Sequence, residues 1–209
     1  MNLPKRPNDI TAAEIHNLVG DTPFILEIGA ADGQTTEQFL AEMPDACIQC
    51  FEPDPRCIEA FKQRIDSNQV ELHEVAISDR HEAATFHQSG GAVPGSREPC
   101  KDDWYLSGSL HRPTGHLIRD KVVKFPSKIT VTTQPLDHFN CRDVDIIWAD
   151  VQGAEARMIL GAQATLRHTK WLYTEFYDTP QYDRQPDLRA ILAFLPDWEP
   201  VQIYGDNVL

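Results

Sequence analysis

The residues best able to do chemistry in this chain fall at a few short stations. The first is Glu27-Ile28-Gly29-Ala30-Ala31-Asp32-Gly33. Gly29 and Gly33 permit a tight turn and a close backbone approach to a ligand. A helix starting behind that turn favours an anionic group such as a carboxylate. The second station is Glu52, roughly 20 residues on, where an acid can accept both hydroxyls of a ribose. A dinucleotide fingerprint would need another glycine at position 31, which is Ala31, and no P-loop lysine follows, so a pyrophosphate is not the expected ligand. The third station is Asp150, closing the apolar run Asp145–Ala149, and the fourth is Glu175, an acid among apolar residues. Buried acids need a partner, and such groups cluster at functional sites. Asp150 could orient an acceptor hydroxyl, take its proton as general base, or simply cap the next helix. His111 and His116 lie in a Gly-, Pro- and Ser-rich stretch and could be the base or solvated loop residues. Glu155 reads as a first-turn acid facing the helix dipole. Ser107-Gly108-Ser109 reads as a flexible turn with hydroxyls.

These stations need a frame that brings them together. Thr11-x-x-Glu14 is a capping box and Ile10 and Ile15 form a staple, predicting a helix over 11–19 that stops at Gly20. Phe24–Ile28 and Cys47–Phe51 read as short buried strands, and Val70–Ala76 as a third. Helices over Gln34–Met43 and Pro55–Ile65 separate them; the second places Cys57, Ile58, Phe61 and Ile65 on one face. This β-α-β-α-β run predicts a parallel sheet with helices on both faces. Ala83–His87 could add a short strand, and residues 88–116 read as a long insertion. A strand at Ile129–Thr133, a strand at Asp145–Ala149, one helix over Glu155–Arg167, a strand at Trp171–Phe176, a helix over Leu188–Leu195 and a strand near Val201–Tyr204 complete the order. Asp206–Leu209 looks like half of another strand, so the C-terminus as given is expected to be clipped. In such sheets ligands bind beyond the carboxyl ends of the strands, where strand order reverses. All four acid stations fall at strand ends.

The 209 residues suit one domain, 1–209, with an acceptor-side insertion at about 88–128. An apolar share of 41% excludes disorder. No run reaches the ~18–20 apolar residues a membrane span needs, and the N-terminal residues lack the apolar core of a signal peptide, so a cytoplasmic protein is expected. A net charge of −13 argues against nucleic acid or anionic membrane as partner. Five cysteines, with no second pair at zinc spacing after Cys47 and Cys50, read as reduced, buried thiols.

A glycine pair flanked by Glu27, with a ribose acid after the second strand, resembles binding of S-adenosylmethionine (SAM). Together, ILEIGAADGQT, CFEPDP, VAISD and DIIWADVQGAEARMILGA resemble the FkbM-type family of SAM-dependent methyltransferases. The resemblance runs from about residue 24 to 176, and Asp150-Val-x-Gly153-Ala-Glu155 with Gly161-Ala162 is its most specific piece. It implies a Rossmann-like class I methyltransferase fold, an α/β structure with a mostly parallel seven-stranded sheet. It implies that Glu27, Gly29, Ala30, Asp32 and Gly33 hold the methionine part of SAM, that Glu52 with Pro53 holds the ribose, that Val75, Ala76 and Ser78 lie near the adenine, and that Asp150 borders the cofactor. Where the family usually has Lys-Ile-Asp-Val-Glu-Gly, this chain has Trp148-Ala149-Asp150-Val151-Gln152-Gly153: a cation and an acid are replaced together.

The expected function is methyl transfer from SAM to a hydroxyl of a small molecule, a sugar, glycolipid or polyketide-like acceptor, with Asp150, Glu175, His111 and His116 as candidate catalytic residues and no required metal. Two alternatives stand beside it: a SAM-binding module without turnover, and a methyltransferase acting on an amino group, although no Asn/Asp-Pro-Pro-Tyr motif follows the fourth core strand. Residues 111–128 carry +4, leaving −17 on the rest. If that segment borders the site, it suits an anionic acceptor. The oligomeric state is open.

Overall fold

The computed structural model describes residues 5–6, 9–91 and 104–209. The main sheet is built on the two most apolar strands. β2 (Phe24–Ile28) pairs in parallel with β3 (Cys47–Phe51) on one side and with β8 (Val144–Ala149) on the other. Alternation along these strands splits the core in two. Ile25, Ile48 and Ile146 face a cluster with α1 (Ala12–Val19), α2 (Gln34–Glu42) and α3 (Pro55–Arg64). Leu26 and Ile147 face the cluster holding Met158, Ile159, Leu166 and Ile191, from α5 (Glu155–Leu160), α6 (Gln163–Leu166) and α7 (Leu188–Phe194). Period-2 side-chain alternation thus covers both faces of one sheet with helices.

The remaining strands are β4 (Val70–His73), β9 (Thr169–Glu175), β10 (Ile203–Tyr204) and β11 (Asn207–Val208), with a two-residue edge strand, β1 (Lys5–Arg6). The order is β1-β10-β11-β9-β8-β2-β3-β4. Setting β1 aside, this is the expected seven-stranded sheet, parallel except at β11, which runs antiparallel to both neighbours. The chain winds outward from β2 to β4 and then restarts on the other side at β8. The strand order therefore reverses between β2 and β8.

Four expectations are corrected. Val70–Ala76 is not one strand: a tight turn, with the Val75 N–H on the His73 carbonyl at 2.9 Å, sends β5 (Ala76–Ile77) into a second sheet. That sheet, β5-β7-β6, pairs β5 in parallel with β7 (Val123–Gln134), which forms a long antiparallel hairpin with β6 (Glu82–Gly91). Both ends of the 88–128 insertion are therefore strand, and a short helix, α4 (His116–Arg119), lies between them; residues 92–103 lie outside the described residues. The helix expected over Glu155–Arg167 breaks after Leu160. Gly161 packs so closely under β5 that a Cβ there would lie 1.9 Å from the Ser78 carbonyl oxygen, and the chain restarts as α6. Among the cysteines, Cys50, Cys57 and Cys141 are buried, but Cys47, first in its strand, is exposed. The capping box at Thr11 and Glu14 forms as the spacing predicts. Among the described residues no helix is long and apolar enough to cross a membrane.

Candidate active site

A cleft of about 980 Å³, its open mouth included, lies at the carboxyl ends of β2, β3 and β8, at the reversal point. Its floor is the turn after β2. Gly29 holds φ +86°, and a Cβ there would meet the Asp150 carbonyl oxygen at 1.9 Å. Only glycine lets the ends of β2 and β8 come this close. The Gly29 and Ala30 N–H groups bond to the Phe51 carbonyl, and the Asp150 N–H bonds to that of Ile28, which joins the three strand ends.

Glu52 is set by this turn. One carboxylate oxygen accepts the Ala31 N–H at 2.9 Å, the other the Asp54 N–H at 2.8 Å. Both oxygens are thereby aligned at the cleft wall. Burial pushes the Glu52 pKa up to about 7, against the two N–H groups that favour the anion. Ala30, Asp32 and Pro53 line the cleft as well; Asp32 is tied to Arg64 at 2.8 Å. Val75, Ala76, Ile77, Phe86 and Leu106 form an apolar wall opposite.

The β6–β7 hairpin supplies that wall because polar links hold it to α3. Gln88 Nε2 donates to Asp54 Oδ1 at 2.8 Å, and Arg56 bridges Asp54 and the Ser89 carbonyl. The Ser107-Gly108-Ser109 turn is pinned rather than free: the Ser107 N–H donates to Ser89 Oγ, and Ser109 Oγ donates to the Gln152 carbonyl at 2.6 Å.

Asp150 stands at the end of β8, exposed to the cleft solvent, and it does not cap a helix, since α5 begins behind Ala154. The protein packed around its carboxyl desolvates it and raises its pKa, while hydrogen bonding to Gln152 opposes the rise. Gln152 Nε2 donates to Asp150 Oδ1 at 2.6 Å and to Glu175 Oε2 at 3.3 Å, and Gln152 Oε1 accepts the Tyr182 hydroxyl at 2.8 Å. The other Glu175 oxygen accepts the Tyr177 hydroxyl at 2.8 Å. Glu175 is pushed well above the ordinary carboxylate range by burial, with Asp150 and Glu155 adding to it. Glu155 is fully buried; one oxygen accepts the Gly153 N–H, and burial raises its pKa to about 7.

Not every expected site residue reaches the cleft. Glu27 lies beneath the turn, 1% exposed, accepting the Thr36 hydroxyl at 2.6 Å; burial raises its pKa to about 7. Gly33 starts α2 behind the turn, and Ser78 is buried under Gly161. Glu175 sits behind Asp150, joined to it only through the Gln152 amide. His111 and His116 lie away from the cleft wall. His111 Nδ1 donates to the Asp183 carbonyl at 2.6 Å, and His116 packs against Phe125 and Tyr182; burial lowers both pKa values. Sequence reasoning missed Tyr182, which is 1% exposed and joins Gln152 to the Ser107 carbonyl. It sits in a polar stretch with no periodicity to betray it. Trp148, in the cleft wall, stacks on Tyr173 at 4.2 Å and meets Phe39 edge-on. Among the described residues no group of three His, Cys, Asp or Glu side chains is arranged to hold a metal ion.

The chain is similar to known proteins over most of its length. The methyltransferase FkbM domain matches residues 27–203, from the acid of β2 to the start of β10. The chain belongs to the FkbM methyltransferase family. It is thus an enzyme of the SAM-dependent methyltransferase class. A 2-O-methyltransferase, NoeI, from Sinorhizobium fredii is 40% identical over 197 residues, spanning 90% of this FkbM-family chain and 79% of the relative. The solved structure of an FkbM methyltransferase from Methylobacillus flagellatus KT superposes with a TM-score of 0.57 at 14% identity. That likeness concerns the fold. It takes in 95% of this chain, which spans 44% of the length of the larger protein.

Proposed function

We propose that this chain is an O-methyltransferase that binds SAM in the cleft between β2, β3 and β8 and methylates a hydroxyl of a small molecule, with a sugar as the leading acceptor class. The observation that carries the reading is the pairing, in one cleft, of the aligned Glu52 carboxylate with the solvent-open Asp150 carboxylate across the Gly29 turn. The residues fit the cofactor. Glu52 has both oxygens fixed by backbone N–H groups and keeps lone pairs for two ribose hydroxyls. The turn at Gly29 lets backbone approach the methionine part, and Val75, Ala76 and Phe86 give the adenine an apolar wall. The bound cofactor supplies a methyl group on a cationic sulfonium, open to in-line displacement by an oxygen nucleophile.

Asp150 does the work the cofactor cannot. A sugar hydroxyl is a weak nucleophile near neutral pH and gains from a base within hydrogen-bond reach. Asp150 would accept the hydroxyl proton as that oxygen takes the methyl group from the sulfonium. Phe86, Leu106 and Leu110 give the cleft an apolar side that would keep water from the reacting atoms once cofactor and acceptor fill it. The relative named as a 2-O-methyltransferase supports a hydroxyl acceptor. The +4 charge of residues 111–128 supports an anionic one; Arg119 of that stretch lies over the Tyr177 ring at 5.4 Å and 3.9 Å from Asp206, and Tyr177 touches Glu175 at the back of the site. We take the chain to act as one catalytic domain, with the 88–128 region selecting the acceptor.

The test is a screen of methyl α-D-gluco-, galacto- and mannopyranoside and methyl α-D-glucuronide with SAM, read by mass spectrometry and NMR. Gain of one O-methyl group, lost in Asp150→Asn, is the expected result. Calorimetry with S-adenosylhomocysteine runs beside it. Absence of binding would overturn the SAM reading; binding with no transfer to any hydroxyl would favour a SAM-binding module. Methylation of an amino sugar alone would favour the amino-group reading.

A further inference from the structure

We infer that the Gln152 side chain is a positioning group, an uncharged clamp that locks Asp150 and Glu175 into one acid pair and keeps Asp150 able to accept the acceptor's proton. The inference rests on the reading of Asp150 as the base. An amide nitrogen carries two hydrogens. Here one reaches Asp150 Oδ1 at 2.6 Å and the other Glu175 Oε2 at 3.3 Å, so a single group spans both carboxylates. The opposite end of the same amide accepts the Tyr182 hydroxyl at 2.8 Å. The two carboxylates on the nitrogen side orient the amide, and the single Tyr182 hydroxyl hydrogen is shared between Gln152 Oε1 and the Ser107 carbonyl.

The backbone holds the clamp in place. Gln152 sits at φ +51°, in the left-handed region that a non-glycine residue adopts only when its surroundings impose it. Ser109 Oγ donates to its carbonyl at 2.6 Å, and Tyr182 reaches back to the Ser107 carbonyl. The residue is thus tied to the turn that covers the cleft once directly, through Ser109, and once through Tyr182.

The electrostatics say why an amide is needed. The groups facing the pair are Glu155 from α5, Glu52 from the end of β3, Asp9 and Asp206 from the flanking loops, and the Tyr177 and Tyr182 hydroxyls. None is cationic; Arg119 lies over the Tyr177 ring and pairs with Asp206 at 3.9 Å. A carboxylate at position 152 would add a further negative charge and no donor. If protonated, it would have one hydrogen for two acids. The amide gives each acid one hydrogen bond and no charge. Hydrogen bonding to the ionised form holds the Asp150 pKa down against desolvation.

The test compares the full-length protein with Gln152→Ala, Gln152→Asn and Gln152→Glu. The Asn chain is one methylene shorter and cannot span both acids. Carboxyl-carbon NMR of protein labelled at Asp and Glu follows the Asp150 titration without any acceptor. The expected result is a rise of about one pH unit in the Ala and Asn variants and more in the Glu variant, with S-adenosylhomocysteine affinity within about threefold of the parent. Turnover of whichever methyl hexoside the screen selects should fall about 10- to 100-fold in kcat, with the acid limb of the kcat profile moving to higher pH and KM less affected. An unmoved Asp150 titration and acid limb overturns the inference, even if kcat falls. A parent-like kcat in Asp150→Asn instead overturns the base reading. The two failures are therefore separable.

Discussion

Replacing Glu52 by Gln tests the cofactor site most directly. In the parent each carboxylate oxygen accepts one backbone N–H, from Ala31 and from Asp54. A glutamine keeps one acceptor; its NH₂ must face one of those N–H groups, donor against donor. Towards the ligand, one ribose hydroxyl loses its acceptor, and the other bonds to a neutral carbonyl in place of a carboxylate. Hydrogen bonds to charged groups contribute about 1.5–3 kcal/mol and neutral ones about half of that. The loss in binding is therefore about 2–4 kcal/mol, or about 30-fold to several hundred-fold in the dissociation constant. Isothermal calorimetry with S-adenosylhomocysteine at pH 8, where Glu52 is ionised, measures it. A second signature comes from titration. Burial places the Glu52 pKa at about 7, and on the proposed reading the ribose hydroxyls bind the anion. Below that pH, binding must first remove a proton, so parent affinity should fall by up to about tenfold per pH unit on the acid side. The Gln variant has nothing to titrate there and should lose this part of the pH dependence. Binding within threefold of the parent, by a folded variant with an unchanged pH profile, would refute the assignment of Glu52 to the ribose.

Glu27→Gln removes a carboxyl that is 1% exposed and whose pKa burial raises from 4.5 to about 7. The folded state then holds a proton that the unfolded chain has released, so this group's stability is full below about pH 4.5 and lost as pH rises through about 7. The variant should gain on the parent by about 2–3 kcal/mol between pH 5 and pH 8, read as a melting-temperature gap that widens with pH; a constant gap would count against it. Gly29→Ala forces a side chain onto the Asp150 carbonyl at φ +86°. It should lose about 2–4 kcal/mol and melt about 5–15 °C lower by calorimetry; a shift under about 2 °C would mean the turn can relax away. Arg119→Glu reverses the exposed cation over Tyr177. It should raise KM for methyl α-D-glucuronide severalfold while sparing methyl α-D-glucopyranoside, and equal effects on both would remove the case for an anionic acceptor.

Much of the fold was legible because its core strands are short apolar runs with clear stops. Phe24–Ile28 and Cys47–Phe51 begin and end where the pattern places them. Failures fell where distant contacts decide. Val70–Ala76 reads as one strand locally, yet pairing of Ala76 with Thr133 turns its end into another sheet. Glu155–Arg167 has a continuous helical pattern, and only the approach of Ser78 to Gly161 breaks it. Residues 123–128, VKFPSK, hold a proline and two lysines and carry no clear strand pattern, but partners on β6 make them strand, with a register shift between Gln88 and Gly90. The glycine turn, Glu52 and Asp150 were legible as strand-end residues. Tyr182 was not, because its role is a single hydroxyl brought in from a loop distant in sequence.

The two departures from the family pattern, Trp148 and Gln152, become one electrostatic statement once the side chains are placed. A lysine at position 148 would put an ammonium in the cleft wall, where a carboxylate at 152 could answer it. Trp148 instead fills that place with an indole packed on Tyr173 and Phe39. With the cation gone, an acid at 152 would stand among Asp150, Glu175 and Glu155 with no positive side chain hydrogen-bonded to any of them among the described residues. Like charges at such distances in a desolvated site cost several kcal/mol. Exchanging the acid for its amide removes that charge and turns an acceptor into two donors at the same backbone position. Losing the cation alone would leave an unanswered acid, and losing the acid alone an unanswered ammonium. In this chain every hydrogen-bonding atom of the Gln152 side chain is used, with no charge added at position 152.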